Sequence, residues 1–303
     1  MSESVYTTAR ASASELRPMA RRRSVVEHLR ELGGYRELLA NLTRKELTVR
    51  YQHSMLGFTW SMLQPVFLLI VYTAVFAILG AGFEKFSIWV LCGLLLWTFV
   101  STTLLTATTS VTENASLVGK VKFPRAVLPL ASVMSALVHL GLQSIAFAVV
   151  LAVTRHRVDW AYIPLVPLAV LTAALVVTGL AVIIAPMNVY ARDTGHLLDL
   201  LVLGWFWATP ILYPFFLAAR TLERNGLSQW WQMANPFTPI VITIQRAIYG
   251  SSAEIGGDNP LIPDESVWWY AAWLGAVALV ALLVLAAGLR LFDRAEVNMA
   301  EAL

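Results

Sequence analysis

The sequence predicts an all-α membrane protein. It predicts six transmembrane helices, an N-terminal amphipathic interface helix, and a broken fifth span followed by short outer re-entrant helices. Of the 303 residues, 58% are hydrophobic and only 14% are charged, whereas soluble proteins carry about 25% charged residues. Residues 54–83 contain no Asp, Glu, Lys or Arg, and an apolar run of about 20 residues can cross a bilayer as a helix.

The part of the chain before the first span is polar and basic. Residues 1–34 are rich in Ser, Ala, Arg and Glu, which predicts a disordered basic cytoplasmic tail, and Gly33-Gly34 is interpreted as a break. Residues 35–53 are predicted to form an amphipathic helix that lies flat at the cytoplasmic interface. A helix packed on another domain is the alternative. The apolar side chains on its one face are Tyr35, Leu38, Leu39, Leu42 and Val49.

Six apolar segments define a transmembrane domain over 54–292. Lys and Arg concentrate before the first segment and in the 112–125 linker. The positive-inside rule then places both termini, including a short tail at 293–303, in the cytoplasm, and the protein in the plasma (inner) membrane. The predicted spans lie near 58–82, 86–111, 126–153, 161–189, 197–218 and 266–290.

The fifth segment is unusual because Pro210 and Pro214 interrupt it. Proline removes a helical hydrogen bond and clashes with the preceding turn, so a broken or re-entrant end is predicted there. After it, the stretch 235–250 is predicted to contain a short amphipathic helix on the outer surface, begun by prolines and ended near Gly250. Its apolar face would consist of Ile240, Ile244, Ala247 and Ile248.

The predicted spans carry almost no charge. Ion-coupled carriers retain several ionisable residues within the membrane because they use them. Here only His139, in the third span, and Asp199, near the start of the fifth, are present. We interpret His139 as a helix–helix hydrogen-bonding residue and Asp199 as a marker of the cytoplasmic rim. The energy source is therefore expected in another subunit.

Motifs for chemistry are absent from the sequence. It contains no G-x-x-x-x-G-K-[ST] phosphate loop and no H-E-x-x-H motif, and Cys92 is its one cysteine. We therefore expect this chain to bind no metal or cofactor. A net charge of +3 gives no reason to expect nucleic-acid binding.

Aromatic residues are concentrated in the first and fifth spans. Sugar rings stack their C–H faces on aromatic rings, through the same ring faces that attract cations. These residues therefore predict a polysaccharide channel, with membrane-interface or lipid-facing positions as the alternative. The candidate channel residues are Trp60, Phe67, Tyr72, Phe76, Trp205, Trp207, Tyr213 and Phe216.

Four motifs resemble the membrane subunit of ABC-2 type polysaccharide exporters, the Wzm/TagG-like permeases. The basic N-terminal extension and the Ala-, Val- and Arg-rich composition further resemble the actinobacterial galactan exporters of arabinogalactan synthesis. The motifs are R-Y-x-x-S-x-L-G-x-x-W-x-x-L-x-P at 50–65, K-V-K-F-P-R-A-V-L-P-L at 120–130, N-V-Y-A-R-D at 188–193, and A-T-P-I-L-Y-P at 208–214 with N-P at 235–236.

The resemblance implies a transport subunit, not an enzyme, of an ATP-driven exporter. It implies a homodimer paired with two copies of a separate ATPase subunit, which would hold ATP and Mg²⁺. The implied substrate is a polyprenyl-pyrophosphate-linked polysaccharide of the galactan, O-antigen or teichoic-acid class, moved from the cytoplasm across a membrane whose lipids surround the chain.

The resemblance also implies two groups of site residues. Arg44, Lys45, Arg50 and Tyr51 are candidates for meeting the pyrophosphate, because adjacent phosphates favour cationic donors; positive-inside anchoring is the alternative. The candidates for coupling to the ATPase are Asn114, Lys120, Lys122, Arg125, Arg192 and Asp193, for which a solvated connector is the alternative.

Two other functions remain open at this point. One is the permease of an ABC-2 drug or lipid exporter, which would share the architecture. The other is a membrane-embedded glycosyl- or phosphotransferase that acts on polyprenyl lipids. Such an enzyme would need acidic clusters near the membrane face, and the sequence contains none there.

Overall fold

A computed structural model describes residues 25–52, 54–57, 59–79, 86–250 and 261–302. These residues form helices joined by turns, and no β-strand occurs among them. A 3₁₀ helix, Gln229–Ala234, lies between the helices Phe215–Arg224 and Phe237–Ile248. The helices are α1 (Val25–Gly34), α2 (Arg36–Tyr51), α3 (Thr59–Leu79), α4 (Phe86–Glu113), α5 (Ala115–Lys120), α6 (Val127–Val153), α7 (Leu165–Tyr190), α8 (Asp193–Ala208), α9 (Phe215–Arg224), α10 (Phe237–Ile248) and α11 (Val267–Ala302).

Four helices, α4, α6, α7 and α11, are long and apolar enough to cross a membrane. They coincide with four of the six predicted spans, and their ends lie within a few residues of the predicted ends except at the C-terminus. There, α11 continues to Ala302, with Phe292 and Met299 buried. The segment 293–303, predicted as a cytoplasmic tail, is thus helical in its described residues, because apolar side chains on one face keep the helix docked; its cytoplasmic location stays a prediction.

α3 has 21 residues and lies within the first span predicted at 58–82. The fifth predicted span forms a shorter helix. α8 has 16 residues, so it is about 24 Å long at 1.5 Å per residue, less than the ~30 Å of a hydrocarbon core. The fifth span predicted near 197–218 thus contains the end of α8, the break and the start of α9, and its membrane boundaries and the count of six crossings stay predictions.

The break in the fifth segment lies where the prolines predicted it. Helix α8 ends at Ala208 and α9 begins after Pro214. The amide of Asn235 satisfies the interrupted backbone, because its Nδ2 donates to the carbonyl oxygen of Ala208 (3.2 Å) and to Thr209 Oγ1 (2.9 Å). Its Oδ1 accepts from the indole of Trp205 (2.9 Å) and the backbone N–H of Phe237 (3.1 Å). Asn235 therefore joins the end of α8 to the start of α10.

Helix α10 packs inside the bundle, against α4, α7 and α11. Every side chain from Phe237 to Ala247 is buried, so the prediction of an amphipathic helix on the outer surface is wrong. The charged residue on its second face, Arg246, is covered because it finds partners. Arg246 Nη1 donates to Asp159 Oδ2 (2.7 Å), and its guanidinium lies 4.0 Å from the centre of the Tyr162 ring.

The centre of the bundle is α4, which packs against α3, α6, α7, α8 and α10. Beside it, α7 and α11 approach closely at two glycines. A Cβ atom on Gly288 would lie 3.2 Å from the carbonyl oxygen of Gly179, and one on Gly179 would lie 3.2 Å from the backbone nitrogen of Leu285. Small residues at such contacts allow two membrane helices to pack backbone to backbone.

The N-terminal region is more ordered than predicted. Residues 25–34, which were assigned to the disordered tail, form α1, and Gly33 and Gly34 lie within it, so the break falls at Tyr35. Helix α2 packs on α6 through the apolar face that the sequence predicted, with Leu42 buried beside Tyr35, Leu38 and Leu39. Val49 is the exception, because it is exposed.

The two ends of the bundle differ in chemistry. We call one end the basic end; it holds the start of α2, α5 and the C-terminal turns of α11. We call the other the tryptophan end; it holds the 154–164 loop, the C-terminus of α10 and the start of α11. At the basic end, Arg125 donates a hydrogen bond to the carbonyl oxygen of Glu296. At the tryptophan end, Tyr162 donates one to the carbonyl oxygen of Glu265.

Replacing Asn235 by Ala should destabilise the break. Four hydrogen bonds are lost and buried groups lose their partners, so the free energy of unfolding in bicelles should fall by about 1–3 kcal/mol. The matched control is Asn225→Ala, since the Asn225 amide donates only to the exposed carbonyl of Thr221; it should change stability by less than about 0.5 kcal/mol. Equal losses in the two variants would contradict the bridging role of Asn235.

Candidate functional site

A cleft of about 730 Å³ opens between α3, α4 and α6, and we call it the α3 cleft. It combines a guanidinium, hydroxyl groups, an amide and large apolar side chains. The residues that line it are Arg50, Tyr51, Trp60, Ser61, Leu63, Gln64, Val66, Phe67, Ile70, Thr98, Thr102 and His139. It therefore contains two of the four candidate pyrophosphate residues and two of the eight candidate channel residues.

A tight turn places Arg50 and Tyr51 beside the first turn of α3. Ser54 Oγ accepts the backbone N–H of Gly57 (3.1 Å). Gly57 has a φ of +49°, a left-handed conformation that glycine adopts without strain. Both α2 and α3 run in the same direction along α6, so the phenol at the end of α2 meets Ser61 in the first turn of α3. The spacing of Arg50, Ser54 and Gly57 in the sequence motif thus reflects one local structure.

A hydrogen-bonded group of three side chains joins α2, α3 and α6 at the bottom of the cleft. The hydroxyl of Tyr51 bonds to Ser61 Oγ, and His139 Nδ1 lies 2.9 Å from the Tyr51 hydroxyl and 3.0 Å from Ser61 Oγ. The interpretation of His139 as a helix–helix hydrogen-bonding residue is confirmed. One turn further along, Gln143 Nε2 donates to Gln64 Oε1 (3.0 Å).

Helix α2 lies alongside α6 and not across its end, which differs from the flat orientation predicted. Ser132 Oγ donates to Glu46 Oε1 (2.9 Å), and the next contact joins Tyr51 to His139. These contacts are five residues apart on α2 and seven apart on α6, or about 7.5 and 10 Å. Burial raises the pKa of Glu46, and the Ser132 hydrogen bond and the charge of Arg50 oppose that rise.

Arg50 therefore lies well inside the bundle. His139 is twelve residues from the start of α6 at Val127, which corresponds to about 18 Å along the helix. The neighbouring Arg50 is exposed to the cleft at this level. A charged group at such a depth is costly unless it meets water or a ligand, and is for that reason a functional candidate.

The wall of the cleft formed by α3 is an apolar stripe. Trp60, Leu63, Phe67 and Ile70 follow one another at helical spacing, and Trp60 and Phe67 expose 57% and 65% of their surface. Tyr72 instead packs half-buried against the main core, and the side chain of Phe76 lies outside the described residues. The channel role of these aromatic residues stays a prediction.

The fifth-span aromatic residues are distributed differently. Trp205 packs against Phe237 with ring centres 4.9 Å apart and is bonded to Asn235. Tyr213 donates to the carbonyl oxygen of Trp207 (2.9 Å), and Phe216 packs half-buried against the main core. Trp207 is exposed. Of this group, Trp205, Tyr213 and Phe216 support the break in the chain, and Trp207 presents a free ring surface.

A second cavity of about 610 Å³ lies below the cleft, toward the basic end, between α4, α7 and α8. It contains Glu113, Arg192, His196 and Asp199, together with Asn188, whose Nδ2 donates to the carbonyl oxygen of Thr108 (3.0 Å). The two cavities open on the same face of α4. That face carries, at helical spacing, Thr98, Thr102, Leu105, Thr109 and Thr112.

The two predicted basic groups are in contact at the basic end. Lys45 Nζ donates to Asn114 Oδ1 (2.8 Å), so a candidate pyrophosphate residue touches a candidate coupling residue. Arg44 is exposed on α2. The short helix predicted within the 112–125 linker is present as α5, and Lys120 and Lys122 beside it are exposed, as are Arg192 and Asp193 in the turn between α7 and α8.

Arg125 differs from the other coupling candidates. Its backbone N–H and its guanidinium donate to Glu296 (3.1 Å to Oε1 and 2.7 Å to the carbonyl oxygen). It therefore holds the linker against α11, and only 16% of its side chain is exposed.

Sequence reasoning missed the polar face of α4 and the amide pair on α3 and α6. Ser61 and Gln64 are three residues apart on α3, and His139 and Gln143 are four apart on α6. These spacings place polar side chains on one face of a helix. This signal was available, and it would have predicted that the two helices bond to each other.

The fold and these cavities define a multi-pass helical membrane protein of the transporter class. Residues 37–249 match the ABC-2 type transporter family. Since the match covers more than half of the 303 residues, the chain belongs to the ABC-2 type transporter family.

Two proteins similar to this chain are named as O-antigen export permeases. The chain is 29% identical over 280 residues to the O-antigen export system permease protein RfbA of Myxococcus xanthus, with 92% of this chain and 100% of that protein covered. It is 28% identical over 183 residues to an O-antigen export system permease protein RfbA of Klebsiella pneumoniae, with 60% of this chain and 71% of that protein covered.

The hydrogen bond between Ser61 and His139 should give a measurable coupling energy. In a double-mutant cycle of Ser61→Ala and His139→Leu in bicelles, we expect about 0.6 kcal/mol, the average for such bonds between membrane helices. The control cycle pairs Ser61→Ala with Ser144→Ala, since Ser144 is on α6 but faces another cavity. Strictly additive effects of Ser61→Ala and His139→Leu would show that the three-residue group does not hold the helices together.

Proposed function

We propose that this chain is the transmembrane subunit of an ATP-driven exporter of a polysaccharide linked to polyprenyl pyrophosphate. The galactan, O-antigen and teichoic-acid class is the proposed substrate, and the cytoplasm is its origin. Membership of the ABC-2 type transporter family supports the transport role. The two relatives, both named as O-antigen export permeases, support a polysaccharide substrate.

The observation that carries the proposal is the pairing of a cation with an aromatic stripe in one cleft. Arg50 and Trp60 both line the α3 cleft, and Phe67 lies about two turns further along α3. A guanidinium binds pyrophosphate oxygens through charge-assisted hydrogen bonds. Aromatic faces can then bind successive sugar rings weakly, which suits a polymer that must keep moving.

The opposite wall offers complementary chemistry. The hydroxyls of Thr98, Thr109 and Thr112 donate to carbonyl oxygens of their own helix, so their lone pairs remain to accept hydrogen bonds from sugar hydroxyls. The polar face of α4 extends from the second cavity into the α3 cleft. A route along it would begin at the basic end and reach Arg50 before the aromatic stripe.

The orientation of the chain and its partner proteins are also part of this proposal. The basic end and both termini face the cytoplasm, where Lys and Arg concentrate. A second copy of the chain closes the open side of the cleft, and two copies of a separate ATPase, which bind ATP and Mg²⁺, dock at the basic end. Exposed Lys120, Lys122, Arg192 and Asp193 are the proposed docking residues.

Conditional depletion of the chain in cells tests the function. We expect lipid-linked glycan to accumulate inside the cells, and reconstituted complexes to hydrolyse ATP only when this chain and its ATPase are both present. If depletion leaves the glycan unchanged and instead traps a lipid or a drug, the alternative of an ABC-2 lipid or drug exporter replaces this proposal.

Removing the aromatic stripe should impair export more than it impairs insertion. In depleted cells complemented with Trp60→Ala/Phe67→Ala, we expect export to fall about fivefold, since each ring contributes roughly 0.5–1 kcal/mol to a stacked ligand. The control Trp160→Ala removes a more exposed ring at the tryptophan end and should keep export within about twofold of wild type.

Protein abundance in the membrane, measured by immunoblotting, separates the two explanations of a loss. A parallel fall of abundance and export in Trp60→Ala/Phe67→Ala would assign the stripe to packing. The same assay with Arg50→Lys and Arg50→Gln tests the pyrophosphate role, because Lys retains the charge and loses the bidentate geometry.

The coupling residues should divide into two classes. Lys120→Glu/Lys122→Glu should abolish most ATPase co-purification while leaving thermal stability unchanged, because both side chains are exposed. Arg125→Ala should lower the free energy of unfolding by about 1–3 kcal/mol, since its bonds to Glu296 are part-buried and a charged partner is lost. Unchanged co-purification with Lys120→Glu/Lys122→Glu would remove this linker from the docking surface.

A further inference from the structure

A second apolar groove lies on a different side of the bundle from the α3 cleft. It has a volume of about 330 Å³ and lies between α4, α6, α7 and α10. Its walls are almost entirely aliphatic, with Leu140 and Leu151 of α6 facing Val170 of α7 and Ile244 of α10. Three of these four helices are long enough to cross a membrane. A dry groove of this kind in their surface faces hydrocarbon and suits an alkyl chain.

The mouth of the groove is positively charged. Val158 lines the groove, and Arg155 and Arg157 lie next to it in the loop after α6. Both arginines are exposed, and neither forms an ion pair with another residue in the part of the chain that the structure describes. Asp159, the nearest acid in the sequence, is already bonded to Arg246 (2.7 Å).

Tryptophans place this mouth at the level of lipid headgroups. Trp160, in the same loop, and Trp268, at the start of α11, are both largely exposed. Tyr162 and Tyr270 contact each other with ring centres 5.7 Å apart, which puts the two segments at one height. Exposed tryptophans at one level of a membrane bundle are typical of the membrane–water interface.

Arg155 occupies a position that normally favours glycine. Helix α6 ends in a Schellman motif, in which His156 N–H donates to the carbonyl oxygen of Leu151 (3.0 Å) and Arg155 N–H to that of Ala152 (3.1 Å). In this motif the residue just after the end of the helix adopts a left-handed conformation and is usually glycine. Here it is Arg155, with a φ of +50°. The Arg155 side chain is thus present at a position where the backbone conformation alone would favour glycine.

We propose that this groove is a binding site for an anionic glycerophospholipid. One acyl chain lies in the groove between α6, α7 and α10, and the lipid phosphate is held by Arg155 and Arg157 at its mouth. Guanidinium groups at the mouth of a cleft can hold a lipid phosphate through charge-assisted, bidentate hydrogen bonds. The groove is separate from the α3 cleft, and the inference does not depend on the proposed transport substrate.

Native mass spectrometry of the full chain in a neutral detergent tests the site. The probes are dioleoyl-phosphatidylglycerol and dioleoyl-phosphatidylcholine. We expect one phosphatidylglycerol per protomer to bind with an affinity about tenfold higher than that of phosphatidylcholine. The phosphatidylglycerol headgroup contains no cation that competes with the two arginines for its phosphate. Arg155→Gln/Arg157→Gln should remove this preference.

Two matched variants test the groove itself. Ala148→Phe fills it, since Ala148 lines the groove and is exposed, and should abolish the single tight phosphatidylglycerol. Val149→Phe places the same ring on the adjacent residue, which is exposed but does not line the groove, and should bind like wild type.

Arg155→Gly separates a ligand role from a structural one. Glycine adopts the positive φ without strain, so this variant should raise the thermal unfolding midpoint of the lipid-free protein while weakening phosphatidylglycerol binding. Stabilisation with unchanged lipid binding would assign Arg155 to the loop alone and overturn the proposal.

Two further outcomes would also overturn it. Equal retention of the two phospholipids would remove the role of the arginines. Displacement of phosphatidylglycerol by an equimolar amount of undecaprenyl phosphate would show that the groove takes an isoprenoid chain and not a membrane phospholipid.

Discussion

A peptide group inside a hydrocarbon layer has no water to bond with, and this constraint governs the irregular parts of the bundle. Non-helical backbone at membrane depth survives only where protein or a water-filled cavity surrounds it. Between α8 and α9 that protection comes from Asn235 and from α10, whose Gln245 Nε2 donates to the carbonyl oxygen of Pro210 (3.4 Å). The break therefore requires α10 to be buried.

The same constraint explains the polar residues on α10. Arg246, only 5% exposed, would be costly alone, since an unpaired buried charge is strongly unfavourable. Asp159 neutralises it and the Tyr162 ring covers it. The 154–164 loop is held by the same contacts, because the backbone N–H of Asp159 also donates to the carbonyl oxygen of Ala247 (3.0 Å). The tryptophan end is thus fixed through paired polar groups.

The α3 cleft arises at the other break, between α2 and α3. Because α2 lies alongside α6, the chain enters α3 well inside the bundle, and the resulting gap is lined by Arg50 and by the start of the aromatic stripe. The hydrogen bonds of Tyr51, Ser61 and His139 hold this geometry from three helices. The charged cleft is thus a consequence of how α2 and α3 pack along α6.

The sequence by itself determined much of this protein. Long uncharged apolar runs determined the helical membrane class and the approximate extent of α4, α6 and α7, since apolar length alone sets a membrane helix. Pro210 and Pro214 determined the break, because proline cannot continue a helical ladder. The basic linker, its short helix and the interhelical role of His139 were also predictable from local residue chemistry.

Only the tertiary structure decided which faces are covered. Helical spacing identified the apolar face of α10. Its polar face is also buried, because Arg246 on that face pairs with Asp159. The two residues are 87 positions apart in the sequence, so local spacing does not predict this pair. The order of α1 and the extension of α11 depend likewise on packing with distant residues. The cleft joins Tyr51 to His139 across 88 residues. Such pairings follow from the relative placement of helices, which a local pattern of apolar and polar residues does not contain.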